Sequence, residues 1–317
     1  MTTEPQSIAP AALSADAAST PLPSRRGTSG MMRAFRNPAV VIGSLVIVVM
    51  MALGLAAPWL GTMSPTDINP SGRNKPPGTF VTKRDDDGNR VQVLHRLGTD
   101  GLGRDVYSRV LYGARISLFV GGVVAVLSIT VGLIIGLLSG YIRWLDPIVM
   151  RLMDGLMAIP AILLAISLVS LFRAGVGAVI LAITIPEIPR VVRLVRSVVL
   201  SVRDEPYVEA AITVGTPTLK ILWRHIMPNT IAPMIVQGTF ICASAILVEA
   251  ILSFLGVGVP QDVPTWGNVM AAGRDVFYLL PHNIFYPGLM LAVTVLAVNM
   301  LGDGLRDTLD PKLAKRV

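Results

Sequence analysis

Residues 201–233 read SVRDEPYVEAAITVGTPTLKILWRHIMPNTIAP. This polar, basic stretch interrupts a second half that is otherwise apolar, and two short helices are legible inside it. The first is expected to begin near Asp204 as N-cap, with Pro206 in the first turn, where a missing N–H costs little. Tyr207, Ala210, Ala211 and Val214 recur at helical spacing as one apolar stripe. Gly215 ends the helix, because glycine accepts the left-handed C-terminal conformation without a steric penalty. Thr216-Pro217 starts a second helix by the same logic, with a stripe of Leu219, Leu222, Trp223 and Ile226, and Pro228 is expected to stop it. Helices this short are unstable alone in water, so each stripe needs a second surface. The stretch reads as a docking element, half anchored to its own chain and half offered to another.

The surroundings of this element are membrane-soluble. Hydrophobic residues make up 52% of the chain and charged residues 15%, with a mean hydropathy of +0.64; a water-soluble domain carries about 25% charge. The net charge of +7 would suggest nucleic acid in a soluble protein. Here the basic residues flank apolar runs, so they orient membrane segments and no nucleic-acid partner is implied. Cys242 is the single cysteine, and His95, His225 and His282 are scattered, which leaves no metal-ligand spacing.

Residues 1–30 are rich in Ala, Ser, Thr and Pro and read as a disordered tail. Within residues 31–60, the uncharged run from Pro38 to Leu60 is longer than a signal-peptide core and close to the ~20 residues that span a bilayer. Residues 61–115 form a long polar loop. In it, Phe80–Lys83 and Val91–Leu94 suggest a β-hairpin about an Asp/Gly turn, and the acidic turn only faintly fits a calcium loop. Val106, Arg109, Val110 and Gly113 suit an interfacial helix. Residues 116–311 form the core, with further spans at Ile116–Ile142, Ile148–Phe172, Val176–Leu194, Ile231–Leu255 and Ile284–Leu301. Arg151 and Asp154 can pair one turn apart, and Pro160, Pro186, Pro189 and Pro287 are expected to kink or end helices. The Lys/Arg bias of the short loops places both termini, including the 312–317 tail, and the 201–233 loop in the cytoplasm.

Glu209-Ala210-Ala211, then Gly215, then Met227-Pro228, resembles the "EAA" cytoplasmic loop of bacterial ABC-importer membrane subunits. His225-Ile226-Met227-Pro228-Asn229 is similar to the form in the C-type subunits of the dipeptide/oligopeptide/nickel group. Further motifs resemble the same group: the entry Leu97-Gly98-Thr99-Asp100 through Gly103-Arg104-Asp105 and Ser108-Arg109 to Arg115, the outer "scoop" segment with Pro264-Thr265-Trp266-Gly267-Asn268, and the terminal Asn299 to Pro311. Trp266, Phe277 and Tyr278 suit a membrane–water interface.

The resemblance implies an all-α integral membrane protein of six transmembrane helices with the type I ABC-importer permease fold. It implies ATPase coupling by Glu209, Ala210, Ala211, Gly215, His225, Pro228 and Asn229. It also implies a homologous permease subunit as heterodimer partner, two ATP-binding subunits that hold ATP and Mg, an external solute-binding protein, di- or oligopeptide cargo, and a place in the bacterial inner membrane.

No G-x-x-x-x-G-K-[ST] loop and no Ser/His/Asp or H-E-x-x-H arrangement occurs, so no catalytic residues, cofactor or metal are expected in this chain. Two acids lie in spanning runs, where charge is expensive and functional by default. Glu249 matches an acidic residue of the family, and a bond to a neighbouring helix is favoured over pore lining. Glu187 departs from the family pattern. It either lines the path and attracts a cation or pairs with Arg190 or Arg193. The alternative reading is an ion-coupled secondary transporter or channel that uses Glu187 or Glu249.

Overall fold

The computed structural model describes residues 36–84, 90–172 and 175–309; the two expected tails, the hairpin turn at 85–89 and the final Asp310-Pro311 lie outside them. Helix α1 (Pro38–Ala56) starts where Asn37 caps it, accepting from the Ala39 amide at 2.9 Å. Strands β1 (Thr79–Arg84) and β2 (Arg90–His95) pair antiparallel with Phe80 opposite Leu94, the hairpin expected of the Phe80–Lys83 and Val91–Leu94 segments.

Helix α2 (Val106–Tyr141) is one unbroken rod of 36 residues. The expected interfacial helix is its first turns, and Arg109 there is fully buried rather than at a surface. Helices α3 (Asp146–Ala158) and α4 (Ala161–Leu171) meet at a 91° bend. The expected straight span at 148–172 is therefore broken, because Pro160 lacks an N–H and holds Ile159 extended. Asp154 does not pair with Arg151. It pairs at 2.5 Å with Arg193, 39 residues away, and Asp146 pairs with Arg196.

Helix α5 (Val176–Arg203) runs on past Leu194 to the docking stretch, with Pro186 and Pro189 inside it. Helices α6 (Pro206–Thr213) and α7 (Thr218–Ile221) follow. A π-helical turn, Leu222–Ile226, joins α7 to α8 (Met227–Phe254). Helix α9 (Trp266–Gly273) and the long α10 (His282–Leu309, with Pro287 inside) complete the chain.

Four segments are long and apolar enough to cross a membrane: Pro38–Trp59, Val106–Tyr141, Thr218–Phe254 and His282–Leu309. The bent pair α3–α4 makes a fifth if it is one span. Helix α5 has the length, but it carries Glu187, Arg190, Arg193 and Arg196.

Small residues set the packing. Gly132, Gly136 and Gly140 of α2 lie against Val191, Val195 and Val199 of α5; a Cβ on the glycines would come within 2.5, 2.7 and 2.8 Å of the valine Cβ atoms. Every pair has the same sequence offset, so α2 and α5 run parallel. Lipid offers no hydrophobic drive between helices, and association there depends on such close backbone contact. Gly121 of α2 meets Ile246 of α8, and Gly43 of α1 meets the backbone of α10 at Ala297.

The Leu97–Arg109 motif is the knot that ties the polar loop to this bundle. Gly103 has φ +77°, and a Cβ there would sit 1.9 Å from the Asn69 carbonyl. Asp100 accepts from the Leu102 and Arg104 amides at 2.9 Å and from Arg104 Nε at 2.6 Å. Asp105 caps α2 through the Ser108 amide at 2.8 Å and meets His95 Nδ1 at 2.8 Å. Arg109 donates to the Pro65 and Gln261 carbonyls at 3.0 and 3.1 Å, which joins three segments distant in sequence.

Candidate functional site

The docking stretch is built from the backbone outward. Helix α6 begins one residue later than Asp204 suggested: Glu205 is its N-cap and Asp204 closes α5. It ends as expected at Gly215, φ +82°, where Thr216 N–H bonds Ala211 O at 3.0 Å and Gly215 N–H bonds Ile212 O at 2.9 Å. These are the two bonds of a Schellman cap. Helix α7 also starts one residue late, with Pro217 at its N-cap.

Pro228 does not stop the second helix. Its missing N–H and its ring are accommodated because the preceding turn widens, the Met227 amide reaching back five residues to Leu222 O. A π turn of this kind absorbs the register change that proline imposes.

Burial divides the apolar residues differently from the stripes. Val208, Ile221, Leu222 and Ile226 are the buried anchors, each worth roughly 1.5–3 kcal/mol when fully buried. Tyr207, Ile212, Val214, Leu219 and Trp223 stand exposed, Val214 at 84% and Trp223 at 66%. Glu209 and Ala210 share this outward surface, and Ala211 is half-buried. The sequence missed Val208 and Ile212 because they fall off the predicted stripe.

His225 and Asn229 tie the two helices together. The Asn229 amide donates to His225 O at 2.8 Å and to Tyr207 Oη at 3.2 Å. Beside this tie, a cleft of about 530 Å³ opens between α5, α8 and α10, lined by Leu194, Pro233, Gln237, Phe240 and Arg306.

The intramembrane acids are both buried and both bonded. Glu187 receives Arg190 Nη1 at 3.1 Å on each oxygen and Ser244 Oγ at 3.4 Å. Glu249 receives Ser117 Oγ at 3.2 Å and Ser253 Oγ at 2.8 Å, which links α8 to α2. Trp266 is fully buried and donates to Val110 O at 3.1 Å, so it is a core residue and not an interfacial anchor. Phe277 and Tyr278 are exposed. Asn268 holds the Val259, Pro260 and Val263 carbonyls.

Residues 128–315 match the family model described as binding-protein-dependent transport system inner membrane component. The chain belongs to that family. Residues 30–77 of the permease also match the N-terminal TM domain of oligopeptide transport permease C. A "Probable peptide ABC transporter permease protein" of Sinorhizobium fredii is 51% identical over 89% of this chain and 91% of its own length. A dipeptide transport system permease protein of Alkalihalophilus pseudofirmus is 37% identical over 88% and 87%. An oligopeptide transport system permease protein of Bacillus subtilis is 35% identical over 90% and 89%.

Among solved structures, a chain of the MetNI methionine ABC transporter in inward facing conformations shares the fold. The TM-score is 0.53 at 17% identity, over 64% of this chain and 96% of that one. The permease is a multi-pass, mostly helical membrane transport subunit with the type I ABC-importer fold.

Proposed function

We propose that the permease carries di- or oligopeptides across the bacterial inner membrane. In this reading two ATP-binding subunits, which hold ATP and Mg, grip the 201–233 loop. A related permease subunit closes the path as a heterodimer, and an external solute-binding protein docks on the 61–115 and 257–283 surfaces. Both termini and the coupling loop face the cytoplasm. Glu209, Ala210, Ala211 and Gly215 form the contact, with His225, Pro228 and Asn229 behind it. Glu249 holds α8 to α2. Glu187 positions Arg190 rather than meeting cargo itself.

One observation carries the coupling role. Tyr207, Ile212, Val214, Leu219 and Trp223 stand in solvent along the 206–226 segment while Val208, Ile221, Leu222 and Ile226 pin the same segment to the bundle. A rigidly held, partly apolar surface has the anatomy of an interface. Closure of the partner would tilt it as a body, a two-state change. The peptide cargo rests on the printed names of the relatives. Nothing in the geometry favours the ion-coupled alternative, since both acids already have partners.

The test is co-purification with the ATPase subunits after Glu209→Lys and, separately, Gly215→Val. The expected result is a parallel loss, about tenfold or more, of ATPase association and of peptide uptake. Unchanged association and uptake would overturn the coupling role.

A further inference from the structure

The outward face of α5 is unlike that of the other long helices. Its exposed residues in the lower half are Arg190, Arg193, Ser197 and Ser201, at helical spacing and all polar. The exposed face of α1 is apolar, with Val41, Leu45 and Val48, and so is that of α10 as far as Leu296, with Phe285 and Leu289, before Asp303, Arg306 and Asp307 in its last turns.

Depth makes this face informative. Gly132, Gly136 and Gly140 sit beside Val191, Val195 and Val199, so each α5 residue has a fixed level on α2. The uncharged run Ile116–Ile142 of α2 has its middle at Ile129, and the same offset puts Ile188 opposite. Glu187 and Arg190 therefore lie at mid-membrane. A half-exposed guanidinium at that depth does not face acyl chains; intramembrane charges turn to a bundle interior or a water-filled cavity. The Arg190 side chain is 50% exposed and that of Glu187 5%. Leu194, one turn from both Arg190 and Ser197, also lines the cleft between α5, α8 and α10, so the polar stripe and the cleft share a wall.

The chemistry of the exposed group sets the ligand. Arg190 uses Nη1 to bond both oxygens of Glu187. Among the described residues its Nε and Nη2 have no partner, and that edge of a guanidinium is the one that takes a carboxylate with two parallel bonds. Glu187 is the positioning residue that fixes the fork, with Ser244 behind it.

We propose that Arg190, braced by Glu187, lines the water-filled path at mid-membrane and receives the side-chain carboxylate of a passing acidic peptide. This rests on the peptide-import reading above and adds to it the residue that meets the cargo.

The experiment uses the assembled transporter, with its ATPase subunits and binding protein, in proteoliposomes. Uptake of Ala-Glu, Ala-Ala and Ala-Lys is compared for the unmodified permease, Arg190→Gln and Arg190→Lys. The expected result is that Arg190→Gln lowers Ala-Glu uptake at least tenfold relative to Ala-Lys, and that Arg190→Lys recovers part of the loss. Equal loss for the three peptides, or no loss, would overturn the proposal while leaving peptide import standing. Failure of the unmodified assembly to take up any of the three would overturn the import reading, and this proposal with it.

A second variant guards against misfolding. Ser197→Cys, made with Cys242→Ala, should react with a water-soluble maleimide, and Leu45→Cys on the apolar face should not. An unreactive Ser197→Cys in an assembly that still transports would show a face sealed by protein and would also overturn the proposal.

Discussion

Gly103 and Gly215 both have positive φ, +77° and +82°, yet they answer to different constraints. Nothing lies within 4 Å of a Cβ on Gly215, so Gly215→Ala meets only backbone strain, about 1–2 kcal/mol. That change is expected to fray the end of α6 and leave the thermal midpoint of the whole permease nearly unchanged; amide exchange of residues 211–216 checks it. Gly103→Ala would place a methyl on the Asn69 carbonyl and is expected to destabilise the polar loop by more than ~3 kcal/mol. Loss of folded material in detergent reads this out. Arg109→Met leaves the Pro65 carbonyl without its buried donor, while Arg104 still serves Asp100 and the Gln261 carbonyl. The expected cost is ~1–3 kcal/mol, seen as a lower unfolding midpoint.

At the scale of elements, the α2–α5 contact has no room for growth. Gly136→Leu would force its side chain into Val195 and is expected to cost ~1–3 kcal/mol and reduce assembly in membranes, which size-exclusion of the solubilised complex measures. What the sequence disclosed about elements was local. The Gly215 cap, the β1–β2 hairpin and the apolar runs each depend on residues close to one another in sequence. What it hid depended on distant partners. Asp154 had Arg151 within one turn, but Arg193 on another helix takes it. Pro228 looked like a stop until the Leu222–Ile226 turn widened to admit it. Trp266 had the composition of an interfacial anchor, and only the packing of α2 against α9 shows that it is core. Likewise the Leu97–Arg109 motif was visible as a pattern, but its work of joining residues 65, 69 and 261 was not.

For the whole molecule, the proposed coupling role makes the bundle the path and the 201–233 loop the attachment surface through which energy enters. Val214, Leu219 and Trp223 are the most exposed of the large apolar side chains on that surface, and aromatic anchors at interface centres contribute ~2 kcal/mol or more. Trp223→Ala is therefore expected to weaken ATPase binding about thirtyfold without changing the fold, since Trp223 touches solvent and Ile226 does the anchoring.

The most direct measurement is uptake of labelled dipeptide by reconstituted transporter, with and without ATP, for the unmodified permease and for the pair Val214→Asp and Trp223→Asp. The account predicts uptake only with ATP, and its loss together with ATPase association in the double variant, whose helix content and unfolding midpoint stay as before. Uptake in the absence of nucleotide, or full ATP-driven uptake by the double variant, would contradict it.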